Sequence, residues 1–530
     1  MKRSFALFQA ALNPSVMASA SLPRITLSPN ETRLKGLLLD LTASLAQSRP
    51  DDPVVLRWAG GWVRDKLLGI ASNDIDVAIN CMTGEAFGLE LGKFCQQAWV
   101  VDKYDLKKND LRGLHLIRLN PEKSKNLETA TTQLFGVDLD FVNLRKETYA
   151  QDSRNPEIEF GTAHEDAMRR DATVNSLFYN LHEDCIEDHT GGVPDLHSKV
   201  IRTPLEPFQT FMDDPLRVLR LVRFASRLGF TITEDTRKCM SDPRVLDALA
   251  LKITRERVGI ELDKMLKGHD PQAALVLIND IELYHAIFTN ISQPGIPKPD
   301  IANWPTAFNL LHDLSKDTFG DFPYSSLVTD STESYLAWAL ACLCPWENVP
   351  AAPSTGAKTK AKSLPQIVTV AREGFRATNK LSDVLTGSHR NIAEIRRFKD
   401  AVLAGQAWVK KRGAVAMMIR RWEANAMNWR LQVLYAMLVE ALQYPQDSAT
   451  ELETLRASWA TVLRELENLK LMDAHLVVGL VDGRTLAKAL DKRPGQWMRP
   501  ALDVCLEWQF DHPGVADTTE AIEEARKLYG

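Results

Sequence analysis

The sequence predicts an α+β fold: a small mixed sheet near the N-terminus, then a remainder that is all helical. Three observations carry this expectation. Strand-like alternation of apolar and polar residues occurs before residue 180 and nearly vanishes after residue 205. Long amphipathic stretches then dominate, at 213–228, 252–267, 366–380, 391–404, 428–443 and 450–469. The 530-residue chain is 45% hydrophobic and 25% charged, a composition able to bury several cores in about three or four domains.

In chain order, residues 1–30 carry Lys2, Arg3 and Arg24, five serines and no acid before Glu31. That pattern fits a mitochondrial transit peptide or a disordered tail. A second start at Met17 would remove Lys2 and Arg3 and so serve a second compartment, cytoplasmic or nuclear. Leu34, Leu37, Leu38, Leu41 and Leu45 predict a helix over 31–47, and Val54-Val55-Leu56 a strand broken at Gly60-Gly61. Residues 62–68 read as a short helix. Ile75, Val77 and Ile79 alternate with Asp74, Asp76 and Ala78 as a strand, and 137–142 alternates again. The polar stretch 102–127 reads as a mobile loop, and 349–365, with three prolines and three lysines, as an exposed linker.

Composition excludes several classes. A net charge of −5 rules out a uniformly basic nucleic-acid coat, though not local basic patches. No run of about 18 apolar residues is present, so no membrane span is expected. Seven scattered cysteines, with one close pair at Cys342 and Cys344, argue against a four-ligand zinc site and for a reducing compartment.

The chemistry begins with Asp74 and Asp76. Two residues apart on a strand, they share one face about 6–7 Å apart at the backbone and can converge on a hard cation. Asp138 and Asp140 share a face of the second strand. If the two strands are neighbours, Asp140 becomes a third acid, and two ions could clamp a phosphoryl transfer. Alone, such pairs also describe any half-buried strand. Upstream, however, stand Gly60 and Gly61, which let backbone amides approach an anion, with Arg64 one helical turn further on. A phosphate nest directly before a metal-binding strand suits nucleotidyl transfer.

Two further segments carry polar groups. In 166–175, Arg170 could neutralise phosphate, while Asp171 and Asn175, one helical turn apart, could bind ribose hydroxyls or simply form a surface pair. Asp213-Asp214-Pro215 starts a helix on which Arg217, Arg220, Arg223 and Arg227 make a basic stripe, with Leu216, Leu219 and Phe224 turned to the core. Cytosine and adenine both offer an amino donor beside a ring-nitrogen acceptor; guanine and uracil offer the reverse. A carboxylate beside a guanidinium, Asp214 with Arg217, matches the first pair and rejects the second, leaving Asp213 to cap the helix. Further on, Lys410, Lys411, Arg412, Arg420, Arg421 and Arg430, with Trp408, Trp422 and Trp429, form a candidate RNA-binding surface or a helix pair with its tryptophans in the core.

In this order the segments resemble the class II tRNA nucleotidyltransferases, the CCA-adding enzymes, which share a head with bacterial-type poly(A) polymerases in the polymerase-β superfamily. The matching stretches are GGWVRDKLLGIASNDIDVA (60–78), NPEKSKNLETATTQLFGVDLDFVNLRKETY (120–149), RRDATVNSLFYN (169–180), DHTGGVPDL (188–196), DDPLRVLRLVRFASRLGF (213–230) and ERVGIELDKML (256–266). The resemblance covers about residues 50–270.

The resemblance implies a polymerase-β-like head at 31–180 and a helical neck at 181–290; the helical pattern alone extends the reading to a body at 291–400 and a tRNA-binding tail at 401–530. The resemblance also implies that Gly60, Gly61 and Arg64 bind nucleotide phosphates, that Asp74 and Asp76 hold Mg²⁺ and carry catalysis, and that Arg170, Asp171 and Asn175 grip phosphate and ribose. Asp214 and Arg217 would template the base, supported by Arg220 and Arg223. Residues 102–127 would be the loop needed for the last A, and Gly191-Gly192 a hinge. Asp213 stands where many relatives carry Glu. The implied reaction adds C, C and A to tRNA from CTP and ATP, without a nucleic-acid template. Partial addition (CC only, A only, or a poly(A) tail) is the first alternative. A phosphohydrolase built on His269-Asp270 and His312-Asp313, or a non-catalytic RNA-binding protein, is the remote one.

Overall fold

Ser28 opens the first described helix, α1 (Pro29–Ser48). Its hydroxyl accepts from the Glu31 amide, and the Glu31 carboxylate accepts from the Ser28 amide. Leu34, Leu37, Leu38 and Leu41 are buried, as their spacing predicts. The chain is described in a computed structural model over residues 23–107, 110–117, 129–148, 157–293, 295–316, 322–350 and 364–530. The transit-peptide reading of 1–30 therefore lies almost wholly outside the described residues, as do 118–127 of the expected loop and 351–363 of the expected linker. The chain divides into two units, Met1–Val245 and Leu246–Gly530.

In the first unit, strand β1 (Leu56–Ala59) leads through a tight turn into α2 (Gly61–Leu67), then β2 (Asp74–Ile79), α3 (Gly84–Phe94) and α4 (Ala98–Lys103). Strands β3 (Leu111–Ile117), β4 (Thr129–Leu134) and β5 (Val137–Asn143) follow, then a hairpin of β6 (Arg145–Thr148) and β7 (Glu157–Phe160). Helix α5 (Ala163–Met168), β8 (Phe178–Asn180) and β9 (Cys185–Glu187) complete the head-forming elements. Among the described residues, seven strands form one sheet in the order β3-β4-β5-β2-β1-β8-β9. The α+β expectation holds.

Two features depart from the expected pattern. Part of the stretch read as a loop is ordered: α4 ends at Lys103, and β3 pairs antiparallel with β4 at the sheet edge. An edge strand needs little apolar cover, so its charged neighbours hid it. The short strands β8 and β9, of three residues each, are below the length at which alternation is readable.

β2 and β5 pair in parallel, with Asp74 opposite Asp138 and Asp76 opposite Asp140. Strand neighbourhood thus brings the two acid pairs together. Helix α3 packs on β5 so closely that a Cβ at Gly84 would lie 2.0 Å from the Phe141 carbonyl oxygen. Gly84→Ala is expected to push α3 off the sheet and to lower stability by about 1–3 kcal/mol, measured by denaturant unfolding.

After the sheet the unit continues with α6 (Gly192–Ser198), α7 (Pro207–Asp213) and α8 (Leu216–Leu228). The second unit is helical throughout its described residues, including Arg255–Leu266, Gln366–Phe375, Asn379–Leu403, Trp429–Ala441 and Ala449–Asn468. The stretch 366–380, expected as one helix, breaks at Arg376, whose φ is +56°. Among the described residues, no helix is long and apolar enough to cross a membrane, and all seven cysteines are free.

Candidate active site

The turn after β1 is set by Gly60, whose φ of +65° suits glycine. Its amide donates to the Leu177 carbonyl at 2.9 Å, and a Cβ there would sit 2.7 Å from Arg170 Nη1. The glycine thus makes room for a guanidinium. Arg64, one turn into α2, is 2% exposed. Its Nε donates to Asp65 Oδ1 at 2.8 Å and its Nη1 to the Asn175 side-chain oxygen. Burial lowers its pKa, against the pull of Asp65.

The segment after α5 supplies the partners. Arg170 Nε donates to Asp166 Oδ2 at 3.0 Å, and its Nη1 to the Asn175 carbonyl at 3.0 Å. Asn175 Nδ2 donates to Asp171 Oδ1 at 3.0 Å, and Arg220 Nε donates to Asp171 Oδ2 at 2.6 Å. Asp171 is buried, which by itself would raise its pKa. The charge of Arg220 and the bonds from Asn175 and Arg220 outweigh this and hold the carboxyl down at about 2. A continuous chain, Arg64–Asn175–Asp171–Arg220, therefore ties together segments far apart in sequence.

The acids are in the opposite condition. Asp74 stands at the start of β2, open on one side to solvent; partial desolvation on its other side, then the charges of Asp140 and Asp138, raise its pKa. Burial pushes Asp76 up to about 6; Asp140 and Asp74 add to this, while Arg170 and Arg220 oppose it. Asp140 Oδ1 accepts from the Thr131 hydroxyl at 2.7 Å, and Asp138 Oδ1 from Gln133 at 2.8 Å. Among the described residues, no group of three or more acids, histidines or cysteines forms a metal cage. Carboxylates whose ionised form is disfavoured by burial and by neighbouring acids are the groups a divalent cation would relieve. Mg²⁺ takes one or two carboxylates plus phosphate oxygens, so Asp74 and Asp76 suffice as a donor set.

The base-reading candidates are rearranged relative to expectation. Asp213 is the last residue of α7 and accepts from Gln209 at 2.7 Å. It does not start the next helix. Asp214 lies closer: its Oδ1 accepts from the Leu216 amide at 3.2 Å, just ahead of Pro215 at the helix N-cap. Proline 215 ends α7 before Asp214 and leaves that carboxylate facing the new helix. Arg217 is buried; its Nη2 donates to the Arg169 carbonyl at 2.7 Å and lies 3.9 Å from Glu147.

Sequence reasoning missed Asp65 and Asp166, the counter-charges of Arg64 and Arg170, although Asp166 precedes the arginines at the three- and four-residue spacing that marks such pairs. It also assigned Phe224 to the core alone. The ring is 5% exposed, yet Arg223, Arg64 and Arg220 lie 4.4, 5.4 and 5.4 Å from its centroid.

The glycines expected as a hinge sit in a pinned turn. Asp188 accepts from the amides of Thr190, Gly191, Gly192 and Val193 at 2.9–3.2 Å. A Cβ at Gly192 would lie 2.3 Å from the Thr173 carbonyl.

In the second unit, the candidate RNA surface is largely spent on the fold. Trp422 and Trp429 are buried, whereas Trp408 is exposed. Arg412 donates to the carbonyls of Leu469 and Phe510, Arg420 to those of Ala474, His475 and Val477, and Arg430 to that of Met472. Lys410 pairs with Glu465 and Arg421 with Glu394. Of the His-Asp dipeptides, Asp270 caps a helix through the Ala273 amide at 2.9 Å, as a structural residue does.

Comparison with known proteins accords with this geometry. Residues 56–202 match the poly A polymerase head domain. A protein of Purpureocillium lilacinum called nucleotidyltransferase lcsQ is 46% identical over 97% of this chain and 93% of its own. The mitochondrial CCA tRNA nucleotidyltransferase of Candida glabrata is 36% identical over 93% of this chain and 94% of its own. In fold, the chain is similar to the Thermotoga maritima CCA-adding enzyme solved with tRNA, with a TM-score of 0.59 at 19% identity, covering 95% of this chain and 97% of that one. With relatives this similar along nearly its whole length, the chain belongs to the tRNA nucleotidyltransferase family and is a nucleotidyltransferase.

Proposed function

We propose that this nucleotidyltransferase adds C, C and A in turn to the 3′ end of tRNA, using CTP and ATP and no nucleic-acid template. The observation that carries the reading is the juxtaposition of two strained carboxylates, Asp74 and Asp76, with the guanidiniums of Arg170 and Arg220 that moderate Asp76. An anionic metal site beside a cationic phosphate site is what transfer from a nucleoside triphosphate requires. The names of the Candida glabrata and Thermotoga maritima relatives support the same substrates.

In this reading the Gly60-Gly61 turn lets backbone approach the triphosphate, and Arg64 and Arg170 neutralise it. Asp74 and Asp76 hold Mg²⁺, which when bound lowers the pKa of the attacking 3′-hydroxyl and offsets charge on the departing pyrophosphate. Asp171 and Asn175 each spend lone pairs on an arginine, so their main work is to aim Arg220 and Arg64; the remaining lone pairs are free for a ribose hydroxyl. Asp214 and Arg217 read the base edge once Arg217 exchanges its carbonyl acceptors for the nucleotide. The head, expected to end at 180, extends at least to Glu187 because β9 belongs to its sheet, and the neck, body and tail divide at 290 and 400. The acid-free N-terminus and the mitochondrial label of the Candida glabrata relative support delivery to mitochondria, with initiation at Met17 supplying the cytoplasm or nucleus.

The test offers a tRNA ending at its discriminator base to the full-length protein with each nucleoside triphosphate, alone and combined. Ordered incorporation of C, C and A is expected. Tails of A alone would replace this reading with poly(A) polymerase, and arrest after CC or addition of A only to a CC end would replace it with a partial enzyme.

A further inference from the structure

Three guanidinium groups share one aromatic ring. Arg64 comes from the helix after the glycine turn, and Arg220 and Arg223 from α8, yet all lie within 5.4 Å of the Phe224 centroid. Like charges gathered around one ring repel one another in a partly dry site. Asp65 offsets Arg64 and Asp171 offsets Arg220, each through a hydrogen bond from a guanidinium nitrogen. The face of a phenyl ring supplies negative quadrupole without a net charge. It can therefore hold cations in place without cancelling the positive field a triphosphate needs, as a further carboxylate would.

We propose that Phe224 is a positioning residue for the nucleotide: its ring sets Arg64, Arg220 and Arg223 as one preformed cationic platform for the triphosphate. The inference rests on the nucleotide-addition reading above. Leucine at this position would fill most of the volume and bury similar apolar surface, but has no π-face. Tyrosine keeps the face.

The experiment measures CTP and ATP dependence of addition to tRNA for full-length wild type, F224L and F224Y, with thermal unfolding of each. F224L is expected to raise the nucleotide KM about three- to tenfold with kcat changed less than about twofold, because interactions equal in ground and transition states move KM alone. F224Y is expected to restore the wild-type KM. A purely structural ring would instead lower the unfolding temperature of F224L without separating KM from kcat. An F224L enzyme with wild-type KM, or an F224Y enzyme as weak as F224L, overturns the proposal while active wild type leaves the functional reading standing. Wild type that extends no tRNA overturns that reading, and this one with it.

Discussion

Asp76→Asn is expected to slow nucleotide addition by about a hundred- to a thousandfold, while making the metal-free protein more stable at neutral pH. The loss follows from removing one of two carboxylates that hold the divalent cation, since single groups that stabilise transition-state charge are worth about 10²–10³ in rate. The gain follows from electrostatics. Asp76 rises from 3.8 to about 6 in the folded chain. A carboxyl whose folded pKa is raised favours folding in its protonated form, so its stabilising contribution is complete below pH 3.8 and is lost as pH rises through about 6. At pH 7 the ionised group weakens the fold by about 1–3 kcal/mol. An uncharged amide of the same shape removes that penalty. Unfolding in denaturant with a chelator present should therefore place the variant above wild type at pH 7 and level with it at pH 4. A variant equally stable at both, or one that keeps wild-type turnover, would contradict the assigned role.

The second large effect has the opposite sign. Asp171→Ala is expected to destabilise the protein by about 2–3 kcal/mol, because it removes the carboxylate to which the buried Asn175 amide and the part-exposed Arg220 guanidinium both donate. The folded pKa of about 2 lies below the usual 3.8. Its contribution of about 2 kcal/mol is thus present above pH 3.8 and lost as pH falls through 2. Asp171→Asn should be milder at neutral pH, since it keeps one acceptor for Asn175. Chemical denaturation of both variants between pH 7 and pH 3 measures this, and a flat difference across that range would speak against the pairing. Two acids that share Arg220 sit on opposite sides of their ordinary pKa, because Asp171 is hydrogen-bonded to that guanidinium while Asp76 feels Arg220 and Arg170 only through space.

Much of this site was legible in the sequence because its parts are local. Alternation placed Asp74 and Asp76 on a strand, and a second alternating run placed Asp138 and Asp140; their parallel register needed only that the strands be neighbours. The glycine turn and the proline before α8 announced themselves by conformational restriction. What was not legible depends on long-range approach. Nothing in 60–78 says that Arg64 will meet Asn175, 111 residues away. Asp213 lost its expected place as the cap because a proline fixes the start of one helix and says nothing of where the preceding one ends. Phe224 looked like core because it is buried, and apolar periodicity cannot distinguish a ring packed on leucines from one packed on guanidiniums.

The carbonyl-bound arginines of the second unit bear on how deletion mapping would read. Arg412, Arg420 and Arg430 spend their donors on backbone oxygens at Leu469, Ala474, His475, Val477 and Met472. A chain cut after Asn468 would strip three guanidiniums of acceptors and turn them loose on any polyanion. Such a fragment would show new, salt-sensitive stickiness toward nucleic acid of every kind, and that gain would be an artefact of the cut rather than a map of where tRNA docks.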